Sequence, residues 1–330
     1  MRWSVPGGLV CVWCLGIGGC AAAPERFQFT RVTMGVATTV TLEAPDRETA
    51  VAAAAAAFDR IEAVEQAASD YRPSSEAARF CRDAPRGQWV PVSGDLATLL
   101  RSAHSVAQAS DGALDVTLGP VVKLWREARD ARALPNPVRL AQARAHTGWY
   151  LIEVDPLLPA ARVIAGGLAL DFGAVAKGYA AQQAVNTLRA RGLSRCLVAL
   201  AGDVCAGDPP HGQPGWTVEV RGERSARPLG RLLIRNACVS TSGDTEQALQ
   251  IDGVRYSHVI DPRTGLGVVN GRAVTAVGEN GAIVDAASTA AVAAGERGWE
   301  RLARCGVTLI VHGPGGPRTI GDQARIRWSD

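Results

Sequence analysis

The chain has 330 residues, of which 47% are hydrophobic, so it has enough apolar material for one large domain or two smaller ones. Its formal net charge of +3 is small, and the basic residues are scattered rather than interleaved with aromatic residues in a stripe. The composition therefore argues against a nucleic-acid-binding protein and favours a globular protein that acts on small molecules.

The N-terminal segment has the features of an export signal. It contains one Arg, an apolar stretch that is short for a membrane span, and small residues that lead to Cys20. Because its IGGC resembles a bacterial lipobox, we expect residues 1–20 to be a lipoprotein signal peptide that ends at the acylated Cys20, and residues 21–330 to form the mature domain. An ordinary signal peptide cleaved after CAAA is the alternative. Both predict that the mature chain folds outside the cytoplasm.

Cysteines in the mature chain give little sign of a zinc site or of a disulfide framework. Their number is odd and none of their spacings is CxxC. We expect most of them to be small buried hydrophobic residues, although one pair could form a disulfide that the sequence does not identify. The five are Cys81, Cys196, Cys205, Cys238 and Cys305.

Periodicity predicts strands and helices in the first half of the chain. One or two strands are expected from Val32 to Leu42, and an Ala-rich helix follows from about residue 47 to 70. A second amphipathic helix ends at Gly112, and the charged stretch 126–148 has the composition of a surface excursion. The apolar stripe of the first helix is predicted to contain Val51, Phe58, Ile61 and Val64.

The second half of the chain is rich in short strands. Residues 168–192 read as a strand, a loop and a helix with Gly192 as its C-cap, and several strands joined by polar turns follow. This order favours an α+β fold with mostly antiparallel sheet over a doubly wound fold. LDFGAVAKG (170–178) lacks GxGxxG, which weakens a dinucleotide-binding interpretation.

One predicted helix carries two oxygen ligands in an apolar run, IVDAASTAA (283–291). Asp285 and Thr289 are four residues apart, so their side chains project from the same face. Such a pair suits a hard cation such as Mg²⁺. The competing interpretation is structural: Asp285 would cap the helix and Thr289 would bond back to a carbonyl.

Four other stretches place polar groups at predicted strand edges or turns, where sites tend to lie. Taken singly, each has an ordinary structural interpretation: Asp171 as a helix cap, Lys177 as a solvated charge, His258 as a buried core histidine. The four stretches are ALD (113–115), LDFGAVAKG (170–178), STSGD (240–244) and YSHVIDPRTG (256–265).

Taken together, the motifs resemble those of the ApbE family, the FAD:protein FMN transferases, from about Met34 to Val311. The resemblance implies an α+β, ApbE-like fold with mostly antiparallel sheets and packed helices, and an FAD site in a cleft between sub-domains. It also implies that Mg²⁺ helps to cut the pyrophosphate of FAD, that FMN passes to a Thr or Ser hydroxyl of another protein, and that AMP is released. The motifs are MGV, SDYRPSSE, SDGALDVTLGPVVKLW, LDFGAVAKGYA, AGD, TSGD, YSHVIDPRTG and DAASTA.

The resemblance assigns roles to individual residues. It implies that the metal is held by the Asp285 carboxylate, the Thr289 hydroxyl and the main-chain carbonyl of Ala174. His258 is expected to be the base that takes the proton from the acceptor hydroxyl, and Tyr71 is suited to stacking on a flat ring. The implied FAD contacts are Met34, Tyr71, Ala113, Leu114, Asp115, Asp171, Lys177, His258 and Ile260.

Two alternative functions remain open, and the sequence departs from the family pattern at several positions. With water as the acceptor, the same site would be a Mg²⁺-dependent FAD pyrophosphatase that yields FMN and AMP. A lipoprotein that binds FAD without chemistry is the second alternative, against which the joint presence of a metal site and a base argues. The departures are Cys81, Ala174, Ala201 and Thr245.

The resemblance also predicts partners and a location. The clients would be exported or membrane redox proteins that carry an acceptor Thr or Ser, such as subunits of the sodium-pumping NADH:quinone reductase or of Rnf-type complexes. The enzyme would be anchored by the lipid on Cys20 to a membrane of the bacterial cell envelope and would face the periplasm.

Overall fold

The computed structural model describes residues 24–220, 229–243, 248–269, 271–312 and 316–329. The predicted signal peptide with Cys20 lies outside the described residues, and so does Thr245. The helices are α1 (Arg47–Ala68), α2 (Glu76–Asp83), α3 (Gly94–Ala109), α4 (Gly119–Ala131), α5 (Pro137–Arg144), α6 (Ala176–Ala190), α7 (Gly281–Ala294) and α8 (Glu296–Ala303).

The strands are short and numerous, as the runs of β-branched residues predict. They are β1 (Glu25–Thr33), β2 (Val36–Ala44), β3 (Val90–Pro91), β4 (Ile152–Val154), β5 (Ala160–Val163), β6 (Cys196–Leu200), β7 (Asp203–Ala206), β8 (Trp216–Val220), β9 (Gly230–Ile234), β10 (Cys238–Ser242), β11 (Ala248–Ile251), β12 (Val254–Ser257), β13 (Ile260–Asp261), β14 (Leu266–Gly267), β15 (Ala273–Gly278), β16 (Val307–His312), β17 (Arg318–Ile320) and β18 (Trp328–Ser329).

Eight of these strands form the central sheet, in the order β1-β2-β6-β7-β10-β15-β16-β17, and every pair of neighbours is antiparallel. Smaller sheets have the orders β3-β5-β4 and β18-β9-β8, and β11–β12 and β13–β14 are hairpins. The predicted α+β class with mostly antiparallel sheet is therefore confirmed.

Helices and a small sheet cover the central sheet. Helices α1, α6 and α7 belong to the main core, and α7 packs on β10 and β15. A second apolar cluster joins the β18-β9-β8 sheet to the central sheet through Trp216 and Leu232, against Val239 and Val277. Strand β10 alternates between the two sides: Val239 belongs to this second cluster, while Ser240 bonds to α7. This alternation brings polar β10 side chains to α7.

The local predictions are mostly confirmed, with corrections at Val51 and at residues 168–172. Val51 is 47% exposed, because alanines rather than Val51 fill the buried face of α1. The stretch 126–148 is mostly exposed, as predicted for a surface excursion, and it contains the end of α4 and all of α5. Residues 168–172 are extended but form only a single bridge, Leu118 to Ala169, instead of a strand.

One pair of cysteines is bridged. Cys205 on β7 and Cys238 on β10 are register partners with a Cα–Cα distance of 4.0 Å, and they form a disulfide. Cys81, Cys196 and Cys305 are free thiols. Cys196, Cys205 and Cys238 are buried, as expected for most of the five, and strand pairing answers the open question of which pair could bond.

Helices α6 and α7 cross in close contact at two glycines. A Cβ on Gly178 would lie 2.2 Å from the carbonyl oxygen of Gly281 and 2.8 Å from the Asp285 Cβ. A Cβ on Gly281 would in turn lie 2.2 Å from the carbonyl oxygen of Gly178. Only a residue without a side chain fits at either position, and the crossing fixes where Asp285 stands relative to α6.

Replacing Gly178 with Ala is expected to destabilise the protein by about 2–4 kcal/mol and to lower Tm by about 5–10 °C, because the two helices must move apart. Thermal unfolding followed by circular dichroism measures this. Gly94→Ala is the matched control, since a Cβ there meets nothing within 4 Å and the position is helical. A Tm for Gly178→Ala equal to that of Gly94→Ala would contradict the close crossing.

Within the described ranges, no helix is long and apolar enough to cross a membrane.

Candidate active site

The structure has a cavity of about 1070 Å³, which is large enough for a dinucleotide. It lies where the β6–β7 turn and the end of β10 meet the N-terminal end of α6 and the α7 face. Of the residues predicted to contact metal or FAD, those that line it are Tyr71, Ala113, Leu114, Asp115, Asp171, Ala174, Lys177, His258, Ile260, Asp285 and Thr289.

Met34 is placed elsewhere. It forms the β1–β2 turn with Gly35, where both residues have positive φ, +50° and +74°, as a two-residue hairpin turn requires. Its N–H donates to Glu65 Oε2 at 3.2 Å. Met34 is not among the described residues that line the cavity, so its contact with FAD stays a prediction.

Asp285 is 2% exposed and does not cap its own helix. That role belongs to Asn280, whose side chain accepts a hydrogen bond from the Ile283 N–H. Asp285 Oδ2 instead accepts a hydrogen bond of 3.0 Å from the Gly178 N–H, in the first turn of α6. The N-terminal end of α6 therefore stabilises the carboxylate through its free N–H groups and its dipole, and the interpretation of Asp285 as a cap is wrong.

Lys177 joins Asp285 to a second buried carboxylate, Asp203. Its Nζ lies 3.0 Å from Asp203 Oδ2 and 3.5 Å from Asp285 Oδ2, and it donates to the Gly173 carbonyl. Burial lowers the pKa of Lys177, but the two carboxylates outweigh this and leave the pKa above its usual value. Lys177 is therefore a permanent cation at the cavity wall rather than a solvated charge.

The two carboxylates are not fully satisfied by Lys177. Burial, followed by the charge of Asp203, raises the pKa of Asp285 above its usual value. Asp203 Oδ1 is buried without a hydrogen-bond partner among the described residues. A buried anionic oxygen without a partner, beside a carboxyl whose pKa is raised, is an environment that a cation would stabilise.

The donor set at this point fits Mg²⁺ better than zinc. The structure shows no group of three or more His, Cys, Asp or Glu side chains arranged to hold a metal, in the part of the chain that it describes. The candidate donors are instead of mixed kinds, the Asp285 carboxylate, the Thr289 hydroxyl and the Ala174 carbonyl, and all three residues line the cavity. Mg²⁺ accepts few protein oxygens and completes its shell with water or phosphate.

A chain of hydroxyl groups connects β10 to the metal-ligand candidates on α7. Ser242 Oγ lies 2.9 Å from Thr289 Oγ1 and 2.8 Å from Ser288 Oγ, and Ser240 Oγ lies 3.1 Å from Ser288 Oγ. Ser288 Oγ, rather than Thr289, donates back to the Asp285 carbonyl. This network orients the Thr289 hydroxyl and accounts for Ser240 and Ser242 of STSGD.

Two further acidic side chains that line the cavity are held by local hydrogen bonds. Asp115 Oδ1 accepts from the N–H and the hydroxyl of Thr117, and Asp171 Oδ1 accepts from the Gly173 N–H. Burial raises the pKa of both carboxyls above its usual value. The Asp171 N–H donates to the Val116 carbonyl, which keeps the two segments side by side.

His258 is exposed at the cavity, between β12 and β13. The backbone on either side of it is fixed, since the Ser257 hydroxyl accepts from the Val259 N–H at 3.1 Å, and Ser257 and Val259 are buried. The interpretation of His258 as a buried core histidine is therefore wrong. His258 lines the cavity.

Comparison with known proteins agrees with this geometry. The model of the ApbE family matches residues 34–311. The chain belongs to the ApbE family.

Relatives of this family are similar over most of the chain. A protein of Treponema pallidum is 30% identical over 281 residues, which cover 80% of this chain and 77% of the relative. One of Salmonella typhimurium is 30% identical over 268 residues, with coverage of 75% and 74%. Both are named FAD:protein FMN transferase.

Solved structures show the same fold. The apo form of flavinyl transferase ApbE from Pseudomonas stutzeri has a TM-score of 0.76 and 29% identity, over 92% of this chain and 96% of that one. Flavin transferase ApbE from Vibrio cholerae has a TM-score of 0.78 at 24% identity, over 91% and 98%. The expected ApbE-like fold is confirmed.

The departures from the ApbE family pattern have small structural consequences where they are described. Ala174 and Ala201 line the cavity with short side chains. Cys81 lines a separate, smaller cavity of about 410 Å³, and burial raises the pKa of its thiol to about 11, so it is a neutral thiol.

Sequence reasoning missed two residues at this site. Asp203 belongs to the AGD motif but received no role, although a carboxylate at the start of an apolar strand is a signal that could have been used. Arg126 was assigned to a surface excursion, yet it lines the cavity. Its partners are distant in sequence, so no local pattern identifies it.

Proposed function

We propose that this protein is a Mg²⁺-dependent FAD:protein FMN transferase, which attaches FMN through a phosphoester bond to a Thr or Ser of a target redox protein and releases AMP. The observation that carries the proposal is the meeting of metal-ligand candidates, a fixed ammonium group and a histidine in one cavity of dinucleotide size. The residues are Ala174, Lys177, His258, Asp285 and Thr289. Membership of the ApbE family, and the names of its relatives, support the same reaction.

Charge explains why a divalent cation is needed for binding. Lys177, Asp203 and Asp285 together carry a net charge of −1 when both carboxylates are ionised, and the pyrophosphate of FAD adds further negative charge. Without a cation, this anion would meet a wall that repels it. When bound, Mg²⁺ supplies positive charge to the pyrophosphate oxygens, and Asp285, Thr289 and the Ala174 carbonyl are the groups that would hold it.

The chain's own residues then have distinct tasks in the transfer. Lys177 keeps its charge at the N-terminal end of α6, where phosphate oxygens are stabilised. His258 accepts the proton from the acceptor Thr or Ser hydroxyl, whose oxygen forms a new bond to the phosphorus of the FMN half. The bond from that phosphorus to the bridging oxygen breaks, and its electron pair leaves with AMP.

The acceptor must reach the phosphorus from outside. His258 is exposed, so a client segment can approach it without opening the core. The clients proposed are exported or membrane redox proteins with an acceptor Thr or Ser, such as subunits of the sodium-pumping NADH:quinone reductase or of Rnf-type complexes.

The proposed location is the bacterial cell envelope, with the enzyme facing the periplasm and held to a membrane by lipid on Cys20. The N-terminal sequence supports export, and the Cys205–Cys238 disulfide supports an oxidising compartment, where such bonds persist. On this proposal, cleavage leaves the acylated Cys20 as the first residue of the mature enzyme, and residues 21–330 form its FMN transferase domain.

Replacing Cys20 with Ser is expected to release the protein from the membrane, because the acyl chains that would anchor it each contribute about 0.8 kcal/mol per buried CH₂ group. Cell fractionation and immunoblotting measure this, with wild type in the membrane pellet and Cys20→Ser in the soluble periplasmic fraction. Cys81→Ser is the control and should stay with the membrane. If both variants fractionate like the wild type, the lipid anchor is wrong.

The reaction is tested by measuring AMP release from FAD with Mg²⁺, with and without a soluble client domain. A transferase releases AMP in an amount that follows the client and stops when the client is used up. A pyrophosphatase releases AMP and FMN without a client, and a carrier releases neither. Chelation of the metal should stop AMP release. The pattern of the pyrophosphatase or that of the carrier would overturn the proposed function.

A further inference from the structure

Arg126 on α4 bridges two segments of the cavity wall. Its guanidinium carbon lies 4.1 Å from the centre of the Tyr71 ring. Its Nη2 donates to Asp70 Oδ2 and also lies 3.5 Å from Asp171 Oδ2. Tyr71 and Asp171 are implied FAD contacts from distant parts of the chain, whereas Arg126 has no assigned role.

Helix α4 holds Arg126 in a fixed position. The neighbouring Trp125 is buried, its Nε1 donates to the Gly265 carbonyl at 2.8 Å, and its ring packs against that of Tyr256. The backbone of Arg126 is thereby tied to the β13–β14 hairpin, which lies next to His258 in the chain. A guanidinium anchored in this way can impose a position on the side chains that it contacts.

Tyr71 depends on such support. The residue is 74% exposed and lies in the loop after α1, so core packing does not fix its ring. The Arg126 guanidinium stacks against the ring, a contact that aromatic and guanidinium planes favour. With one face occupied by Arg126, the other face is available to a flat ring of a ligand.

The same guanidinium separates two carboxylates that would otherwise repel each other. Burial raises the pKa of Asp171, and the charge of Asp70 adds to this, while the Gly173 N–H, Arg126 and Lys177 act in the opposite direction. Arg126 thus opposes the rise in the pKa of Asp171 and favours its ionised form. An ionised Asp171 is a strong acceptor for an N–H or hydroxyl of the ligand.

We infer that Arg126 is a positioning residue for FAD, which holds Tyr71 and Asp171 in place as a preformed clamp for one flat ring of the dinucleotide. This inference rests on the proposed function, since it assumes that FAD occupies the cavity. Preformed contacts strengthen binding because no free energy of binding is used to order these side chains. Arg126 therefore acts on FAD affinity and not on the chemical step.

The first test separates binding from chemistry. Arg126→Gln is expected to raise the Kd for FAD and its KM by about tenfold, with kcat within about threefold of wild type. Titration calorimetry measures Kd, and client flavinylation measures KM and kcat. Arg126→Lys should lie between wild type and Arg126→Gln, because Lys keeps the charge but not the planar fork. Lys123→Gln is the matched control, an exposed charge on the same helix that should change neither constant.

The second test is a double-mutant cycle with Tyr71. In a Tyr71→Ala background there is no ring left for Arg126 to hold. The change in log Kd for FAD that Arg126→Gln causes there should therefore be less than half of the change that it causes in the wild type. Binding of FMN and AMP as separate probes should show a loss confined to one of the two halves. Additive effects of the two substitutions, or equal losses for FMN and AMP, would overturn the inference.

Failure of this inference differs from failure of the proposed function. If wild type binds no FAD, the proposed function fails. If wild type binds FAD and Arg126→Gln binds it equally well, or loses kcat at an unchanged KM, only the positioning role of Arg126 is overturned.

Discussion

Replacing Asp285 with Asn is expected to lower the rate of FMN transfer by about 10³-fold or more, while leaving the fold at least as stable as in the wild type. Asn keeps the volume of the side chain and can still accept the hydrogen bond from the Gly178 N–H. It removes the negative charge that, on the proposal, holds the metal. Client flavinylation and thermal unfolding measure the two effects on the same preparation.

The stability half of this prediction follows from the sign of the pKa shift. The pKa of Asp285 is higher in the folded protein than in the unfolded chain, because of burial and then Asp203, so ionisation is disfavoured in the folded state. The free energy of unfolding therefore falls as pH rises from the pKa of Asp285 in the unfolded chain through its pKa in the folded protein. Asn does not ionise, so the Tm of Asp285→Asn relative to wild type should increase with pH across this window.

The control for charge removal is Asp59→Asn, since Asp59 is exposed on α1 and should affect neither rate nor Tm. Calorimetric titration with Mg²⁺ in the presence of FAD should show binding to wild type and to the control variant but not to Asp285→Asn. Transfer by Asp285→Asn within a few-fold of wild type would remove Asp285 from the metal site.

Replacing His258 with Ala is expected to leave the Kd for FAD within about threefold of wild type and to lower kcat for transfer by about 10²–10⁴-fold, which is the usual contribution of a general base. The imidazole is exposed at the cavity and the flanking backbone is held by buried residues, so its removal should leave the surroundings intact. Calorimetry and client flavinylation separate the two constants.

Added imidazole offers an independent readout of this role. If His258 is the base, free imidazole should restore part of the transfer rate of His258→Ala, with a dependence on pH that follows the neutral form of imidazole. His146→Gln is the matched control, because His146 is exposed on a different surface and is not among the cavity-lining residues that the structure describes. Loss of FAD binding together with transfer would make His258 a binding residue instead.

Much of the fold follows from local sequence patterns. The β1–β2 hairpin follows from alternation and from a turn that Gly35 permits, and the Ala-rich α1 follows from helix propensity. The spacing of Asp285 and Thr289 places both on the cavity side of α7. These features depend on residues close together in sequence, which is why periodicity predicts them.

Other features depend on contacts between distant segments. The pairing of Cys205 with Cys238 follows from strand register, and an odd set of cysteines does not reveal it. The role of Asp203 depends on the approach of α6. The role of Arg126 depends on Asp70, which is 56 residues before it, and on Asp171, which is 45 residues after it. The prediction that Val51 lies on the buried face of α1 was wrong because alanines fill that face. Alanines allow close helix packing, which hydrophobicity alone does not indicate.

Intact-mass spectrometry of a client domain distinguishes transfer of FMN to a protein hydroxyl from hydrolysis or storage of FAD. After incubation with residues 21–330, FAD and Mg²⁺, we expect the client to gain the mass of one FMN less one water, and a client variant with its acceptor Thr changed to Val to gain none. A client that keeps its original mass while AMP and FMN accumulate, or while FAD stays intact, would show that the protein is not an FMN transferase.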